Sequence, residues 1–386
     1  MNIANMDMCS GCGACFSACP KDAIKFQKDE YGREIPKIIE DKCISCNLCV
    51  RSCPINQQYF LPSEESDLCY ALQAKDRDGI AGCASGGVAT VLSRHVVQNL
   101  GVVFGCAFNE NLDLQYIECE TEEQIELLKG SKYAQSNLTN CYPHIKKRLQ
   151  EGNKVLVIGL PCQIAGIKGY LSRDYENLIT IDLICHGTPP ITYLKEHVRH
   201  LSIKNIQNIK FRENGRFIFS IINKNGKEVY SAAAENDEYY YGFLKGISYR
   251  ENCYHCPYAT TKRVSDITLG DFWGLDHHRL TETYEGAISL AIINTQKGRA
   301  IFEEVKDYFV YEERDIEEAK SGNDQLQAPM NPNLDDREKF LKYYSRLGYD
   351  KAFRKTGLYQ KKTMIKKIKL FLLKSSVGQW IRRLKR

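Results

Sequence analysis

Cys9-Ser10-Gly11-Cys12-Gly13-Ala14-Cys15-Phe16-Ser17-Ala18-Cys19-Pro20 returns 34 residues later as Cys43-Ile44-Ser45-Cys46-Asn47-Leu48-Cys49-Val50-Arg51-Ser52-Cys53-Pro54. The frame around it repeats too, Asp7 with Asp41 and Phe26 with Phe60. In a Cys-x2-Cys-x2-Cys-x3-Cys-Pro run, three thiolates wrap one four-iron cubane and the fourth, on a short helical turn, reaches the neighbouring one. The spacing therefore predicts two [4Fe–4S] clusters, one on Cys9, Cys12, Cys15 and Cys53, the other on Cys43, Cys46, Cys49 and Cys19. Gly11 and Gly13 allow a tight loop with backbone N–H groups turned toward sulfide. Paired zinc sites are the competing reading of Cys-x2-Cys, but two complete runs each ending in Cys-Pro favour clusters.

The remaining composition is that of an ordinary globular protein: 386 residues, 43% hydrophobic and 26% charged, enough for two or three cores. Seventeen cysteines without an export-type N-terminus favour metal ligation over disulfides. No apolar run reaches the ~18 residues that span a bilayer, and a cytoplasmic location is expected. The net charge of +5 is divided unevenly. Residues 351–386 hold 13 Lys or Arg and no acid, leaving 40 basic against 48 acidic residues in the rest. Ile365, Ile368, Leu372, Val377, Trp380, Ile381 and Leu384 recur at helical spacing among those cations, the pattern of a helix lying on an anionic membrane surface. A helix packed on the acidic body is the alternative, and no nucleic-acid partner is expected. The protein is then cytoplasmic or peripheral on the inner face of the membrane.

Beyond the repeat the chain alternates between strand-like and helix-like stretches. Strands are expected at 102–108, 155–160, 178–185 and 287–294, helices at 88–99, 122–129, 143–150, 191–201 and 296–309. A small antiparallel meander is expected over 206–231. The domain reading is a 2×[4Fe–4S] ferredoxin-type domain at 1–62, an α/β domain at 68–315, a helical linker at 316–350 and a basic amphipathic tail at 351–386. The fold class is α+β or α/β: a small bacterial-type dicluster-ferredoxin domain followed by a mixed α/β domain.

Four segments of the body stand out: Gly82-Cys83-Ala84-Ser85-Gly86-Gly87, Gly130-Ser131-Lys132-Tyr133-Ala134-Gln135-Ser136, Gly159-Leu160-Pro161-Cys162-Gln163, and Cys253-x2-Cys256-Pro257 followed by Ser265–Phe272. In this order, and behind the cysteine repeat, they resemble the coenzyme F420 hydrogenase/dehydrogenase beta-subunit family over about residues 5–300. The resemblance implies a flavin–iron–sulfur oxidoreductase with FAD or FMN and a core cluster, served by a ferredoxin or other electron carrier. Its implied substrate is a deazaflavin-like coenzyme or, as in ferredoxin-fused bacterial members near surface-polysaccharide genes, a polysaccharide-pathway metabolite. A non-catalytic electron-transfer subunit docking on a separate reductase is the alternative.

Each segment also has its own chemistry. Ser85, Gly86 and Gly87 precede a helix, where they hold a phosphate or form an ordinary cap; the resemblance turns this toward a flavin pyrophosphate. Ser131, Lys132 and Tyr133, with Gln135 and Ser136 in the same segment, supply a hydroxyl, a cation and an aromatic face for flavin. Cys253 and Cys256 repeat the local spacing of cluster ligands, with a redox dithiol or half a zinc site as alternatives. Cys162 and Cys185 each close an apolar strand, and parallel strands end on one side of a sheet, so the four form a candidate third [4Fe–4S] site with Cys83 in reserve. Cys69, Cys106, Cys119 and Cys141 read as small buried side chains, and His186 as a structural polar residue. No catalytic residue is assigned, and no Ser-His-Asp set or P-loop is present.

Overall fold

Two strands of five residues, β1 (Ile24–Lys28) and β2 (Glu34–Ile38), pair antiparallel beside the short helices Ala14–Ser17 and Leu48–Arg51. Ile3, Cys15, Ile24 and Cys49 make this module's own small core. The computed structural model describes residues 3–56, 66, 68–77, 79–213, 215–360 and 362.

The body follows as β3 (Cys69–Ala74), β4 (Val102–Phe108), β5 (Leu114–Cys119), β6 (Val155–Gly159), β7 (Leu178–Leu183), β8 (Ile206–Glu213), β9 (Arg216–Asn223), β10 (Glu228–Ala233), β11 (Ile267–Asp271), β12 (Ser289–Ile293) and β13 (Phe309–Arg314). Eight of these form one mixed sheet in the order β13-β3-β12-β11-β7-β6-β4-β5. β4, β6, β7 and β11 are mutually parallel, and β3 runs the same way because it pairs antiparallel with β12, itself antiparallel to β11. Five strands thus end on one carboxyl edge, where open α/β sheets present their ligand sites. Side chains alternate between faces. Val103 and Leu156 point to a layer holding the helices Val88–Gln98 and Gln296–Val305. Val102, Phe104, Val155 and Val157 point to the layer with Cys141–Gln150 and Pro161–Leu171, the layer on which the cysteine module sits through Ala14.

The expected meander is the separate sheet β10-β9-β8. It covers an aromatic core with Tyr193, Tyr239, Tyr240, Phe340, Tyr344, Tyr349 and Phe353. The stretch 316–350 is therefore no linker. Its helix Leu334–Leu347 buries Phe340 and Tyr344, and the helix Tyr349–Thr356 buries Tyr349, Ala352 and Phe353. The expected boundary at 351 falls inside that second helix, and the packed body continues to Leu358, which is 7% exposed. The apolar stripe of the basic tail lies outside the described residues. No helix among the described residues is long and apolar enough to cross a membrane.

Candidate functional site

Cys9, Cys12, Cys15 and Cys53 line one small cavity of the N-terminal module, and Cys19, Cys43, Cys46 and Cys49 another. Each fourth cysteine crosses to the other run's cavity, the exchange that the Cys-Pro spacing predicts. Backbone N–H groups reach the sulfurs, Gly11 to Cys9 Sγ at 3.4 Å and Ala23 to Cys19 Sγ at 3.3 Å. Burial, with nearby cysteine charges adding, pushes the Cys53 thiol up to about 12 and raises Cys12 and Cys15. Thiols gathered this way become thiolates when cations compensate them.

The two loops differ in their surroundings. Gly11 and Gly13 have φ of +67° and +88°, and their counterparts Ser45 and Asn47 hold +56° and +60°. The left-handed backbone alone thus does not demand glycine. The body does: a Cβ at Gly11 would overlap Gln135 Nε2, and one at Gly13 would stand 2.6 Å from Thr139 Cγ2. The loop of Cys43, Cys46 and Cys49 faces outward instead, with Ile44, Cys46 and Leu48 exposed. The first cysteine set is proximal to the body and the second is distal.

A third gathering lies at the carboxyl edge of the large sheet. Cys162 opens the helix after β6, and Cys185 follows the neighbouring β7. Cys253 and Cys256 come from the turn Glu251–His255 and its end. Burial raises all four thiols, Cys256 to about 11, and each sulfur of Cys162 and Cys185 feels the charges of Cys253 and Cys256. Backbone N–H groups of Gly187, Thr188, Tyr258 and Ala259 oppose the burial at Cys185, Cys253 and Cys256. Beneath the site Arg263 pairs with Asp182 at 2.8 Å, both essentially buried. Cys83 stays outside, 3.1 Å from Thr90 Oγ1.

No three of these described sulfurs lie within 4.8 Å of one another. Tetrahedral zinc with bonds of ~2.3 Å would need sulfurs roughly 3.8 Å apart. Among the described residues only His200, Glu238 and Asp350 bring three such ligand atoms within 4.8 Å of one another. There the Arg354 guanidinium, 2.6 Å from Glu238 and 3.0 Å from His200, already supplies the cation.

The proximal and core sets adjoin. A Cβ at Gly166, on the helix that carries Cys162, would meet Cys12 Sγ at 3.0 Å. Tyr258, 6% exposed, lies within charge range of Cys162, Cys12, Cys256 and Cys53. Sequence reasoning missed Tyr258, Arg263 and Arg250, since single residues beside a Cys-x2-Cys carry no pattern.

The expected flavin residues are only partly brought together. The loop 79–87 lies against 129–132: Lys129 Nζ donates to Gly79 O and Ala81 O, and Gly130 faces Gly82 O. Within it the Gly86 N–H donates to Ser289 Oγ, the Ser85 hydroxyl donates to Ile288 O, and Gly87 at φ +83° starts the helix Val88–Gln98. Lys132 donates to the carbonyls of Leu128, Lys129 and Gly130, which uses its ammonium hydrogens. Tyr133 stacks on Phe243 at 4.4 Å within the aromatic core. Gln135 spans the module boundary, donating to Ser10 O and accepting from Arg250, while Ser136 Oγ accepts from Gln163. Ser131 remains half-buried at the loop. His186, behind Cys185, is lowered by burial.

A cysteine-rich module seated on an α/β sheet, with a third cysteine set at the sheet's carboxyl edge, defines an iron–sulfur redox protein. Residues 8–57 match the 4Fe-4S dicluster domain, and residues 152–319 match the family described as the C terminus of the coenzyme F420 hydrogenase/dehydrogenase beta subunit. The chain thus carries a C-terminal domain of that beta-subunit type behind an N-terminal dicluster module. It is 23% identical over 321 residues to a subunit of the F(420)H(2) dehydrogenase of Methanosarcina mazei, covering 79% of this chain and 84% of that one. It is 25% identical over 316 residues to the coenzyme F420-dependent sulfite reductase of Methanocaldococcus jannaschii, covering 78% of this chain but 46% of that longer protein. A chain of the F420-reducing [NiFe] hydrogenase complex from Methanosarcina barkeri superposes with a TM-score of 0.45 at 19% identity, over 69% of this chain and 88% of that one.

Proposed function

We propose that this chain conducts electrons through three [4Fe–4S] sites, from an exposed docking face to the carboxyl edge of the sheet, and there serves a flavin-dependent reaction of an organic two-electron substrate. The observation that carries this is the serial contact of the three cysteine sets. The distal set of Cys43, Cys46, Cys49 and Cys19 opens to solvent at Cys46. The proximal set of Cys9, Cys12, Cys15 and Cys53 touches the core set of Cys162, Cys185, Cys253 and Cys256 through Cys12 and Tyr258. Loaded with iron and sulfide, such sites supply one-electron carriers. The chain's own residues exclude water around the inner two sets, direct N–H groups at their sulfurs and leave the outer one accessible to a ferredoxin or another carrier.

The loop pair 79–87 and 129–132 fits the phosphate end of FAD or FMN. A helix N-terminus follows the first loop, and a Cβ at Gly82 would meet nothing within 4 Å. A bound flavin would supply the exchange between single electrons and electron pairs. The relatives' names make a deazaflavin-type coenzyme the first substrate class to test, and a polysaccharide-pathway metabolite is the second. One observation favours a second reading, a subunit that only transfers electrons to a separate reductase: Lys132, Tyr133 and Gln135 are all engaged within the protein. Anaerobic purification followed by flavin analysis decides between the two. About one flavin per chain supports the first reading, and clusters without flavin, even after reconstitution with FAD and FMN, support the second.

A further inference from the structure

Arg250 is a fully buried cation, 1% exposed, at the boundary between the cysteine module and the body. One terminal nitrogen donates to Gln135 Oε1 at 2.8 Å; the other donates to Cys9 O at 2.9 Å and Glu34 O at 3.3 Å. Nε is buried and has no acceptor. Its acceptors are thus one amide and two carbonyls, and none is a carboxylate. A guanidinium stays charged in any protein setting, and burying a cation is strongly unfavourable unless an anion compensates it.

The place of the charge points to the missing anions. A Cβ at Gly11, between proximal ligands Cys9 and Cys12, would lie 3.3 Å from the Arg250 guanidinium carbon. On the other side the Arg250 carbonyl accepts from the Cys253 N–H at 3.0 Å, and the Arg250 N–H donates to Thr188 O, three residues after Cys185. The side chain therefore stands between the proximal and core cysteine sets, remote in sequence from the first and adjacent to the second. Thiolate-ligated clusters are anionic and gain negative charge on reduction, so a cation held in a low-dielectric interior favours their reduced state.

We propose that Arg250 is the shared countercharge of the proximal and core clusters, seating the module on the body and raising the reduction potential of these two clusters but not of the distal one. This rests on the three-cluster reading above. The test uses the full-length chain purified anaerobically, with iron determined per chain and each cluster's potential followed by electron paramagnetic resonance during redox titration. Arg250→Met should move two of the three potentials to more negative values, and Arg250→Lys, which keeps the charge, should move them less. Gln135→Glu sets a carboxylate against the intact guanidinium and should shift the same two clusters in the same direction, which decides the matter if Arg250→Met fails to load iron. Unchanged potentials in iron-replete variants, or an equal shift of all three clusters, would overturn the proposal. Parent protein with fewer than about twelve irons would count against the three-cluster reading instead.

Discussion

His197 on the helix Ile191–His200 is held between two carboxylates, Nδ1 at 2.5 Å from Asp350 and Nε2 at 2.9 Å from Asp237. Only an imidazolium donates from both nitrogens, so the geometry itself calls for a charged ring. Burial works against that charge, but the hydrogen bonds and charges of Asp237 and Asp350 outweigh it and push the ring up to about 9. Burial would raise Asp350, yet its bond to His197 holds it below the usual carboxylate range. Moving a histidine from 6.5 to about 9 corresponds to roughly 3 kcal/mol of native-state stability. Because the folded value lies above the unfolded one, this contribution is complete below about pH 6.5 and is lost as pH rises through about 9. The perturbation is His197→Asn, compared with the parent by urea unfolding under argon, followed by circular dichroism from about pH 6 to about pH 10. The stability gap should be widest at the acid end and narrow by roughly 3 kcal/mol toward the alkaline end. Parallel curves would show that the ring titrates alike in the folded and unfolded chain and refute the reasoning.

Two further outcomes are expected. Phe353→Ala, at a position 1% exposed and packed on Tyr349, Tyr241 and Tyr359, should cost about 3–5 kcal/mol in the same unfolding assay; a loss near zero would detach the C-terminal helix from the core. Full-length protein should sediment with anionic liposomes at low salt and release as salt rises, with about 1 kcal/mol from each basic residue near the surface. A version ending at Lys362, which keeps the packed body, should stay in the supernatant, and equal behaviour of the two would make the tail a packing or partner element.

The residues that were legible are those whose chemistry fixes a spacing. Ligands to one cubane must recur at short fixed intervals, so the N-terminal run announced itself, and the buried parallel strand Val102–Phe108 stood out as a continuous apolar run. β5 and β13 did not, because both are edge strands that interleave Gln115, Glu118, Glu312 and Glu313 with their apolar residues. The helices after residue 333 read as a linker because charges dominate them. Their signal was the pairs Phe340 with Tyr344 and Tyr349 with Phe353, each four apart on one helical face. Gln135 and Lys132 have side chains suited to a cofactor, and only the folded chain shows that a distant module boundary engages the first and the carbonyls of its own loop the second. Arg250 had no pattern at all, since its side-chain partners lie more than a hundred residues away.

The proposed third cluster would adjoin the other two. Iron and acid-labile sulfide per chain, determined on anaerobically reconstituted full-length protein and on its Cys256→Ala variant, test it most directly. About twelve irons are expected in the parent, with loss of about four in the variant and the signals of the N-terminal pair retained. About eight irons in both, in folded protein, would contradict it.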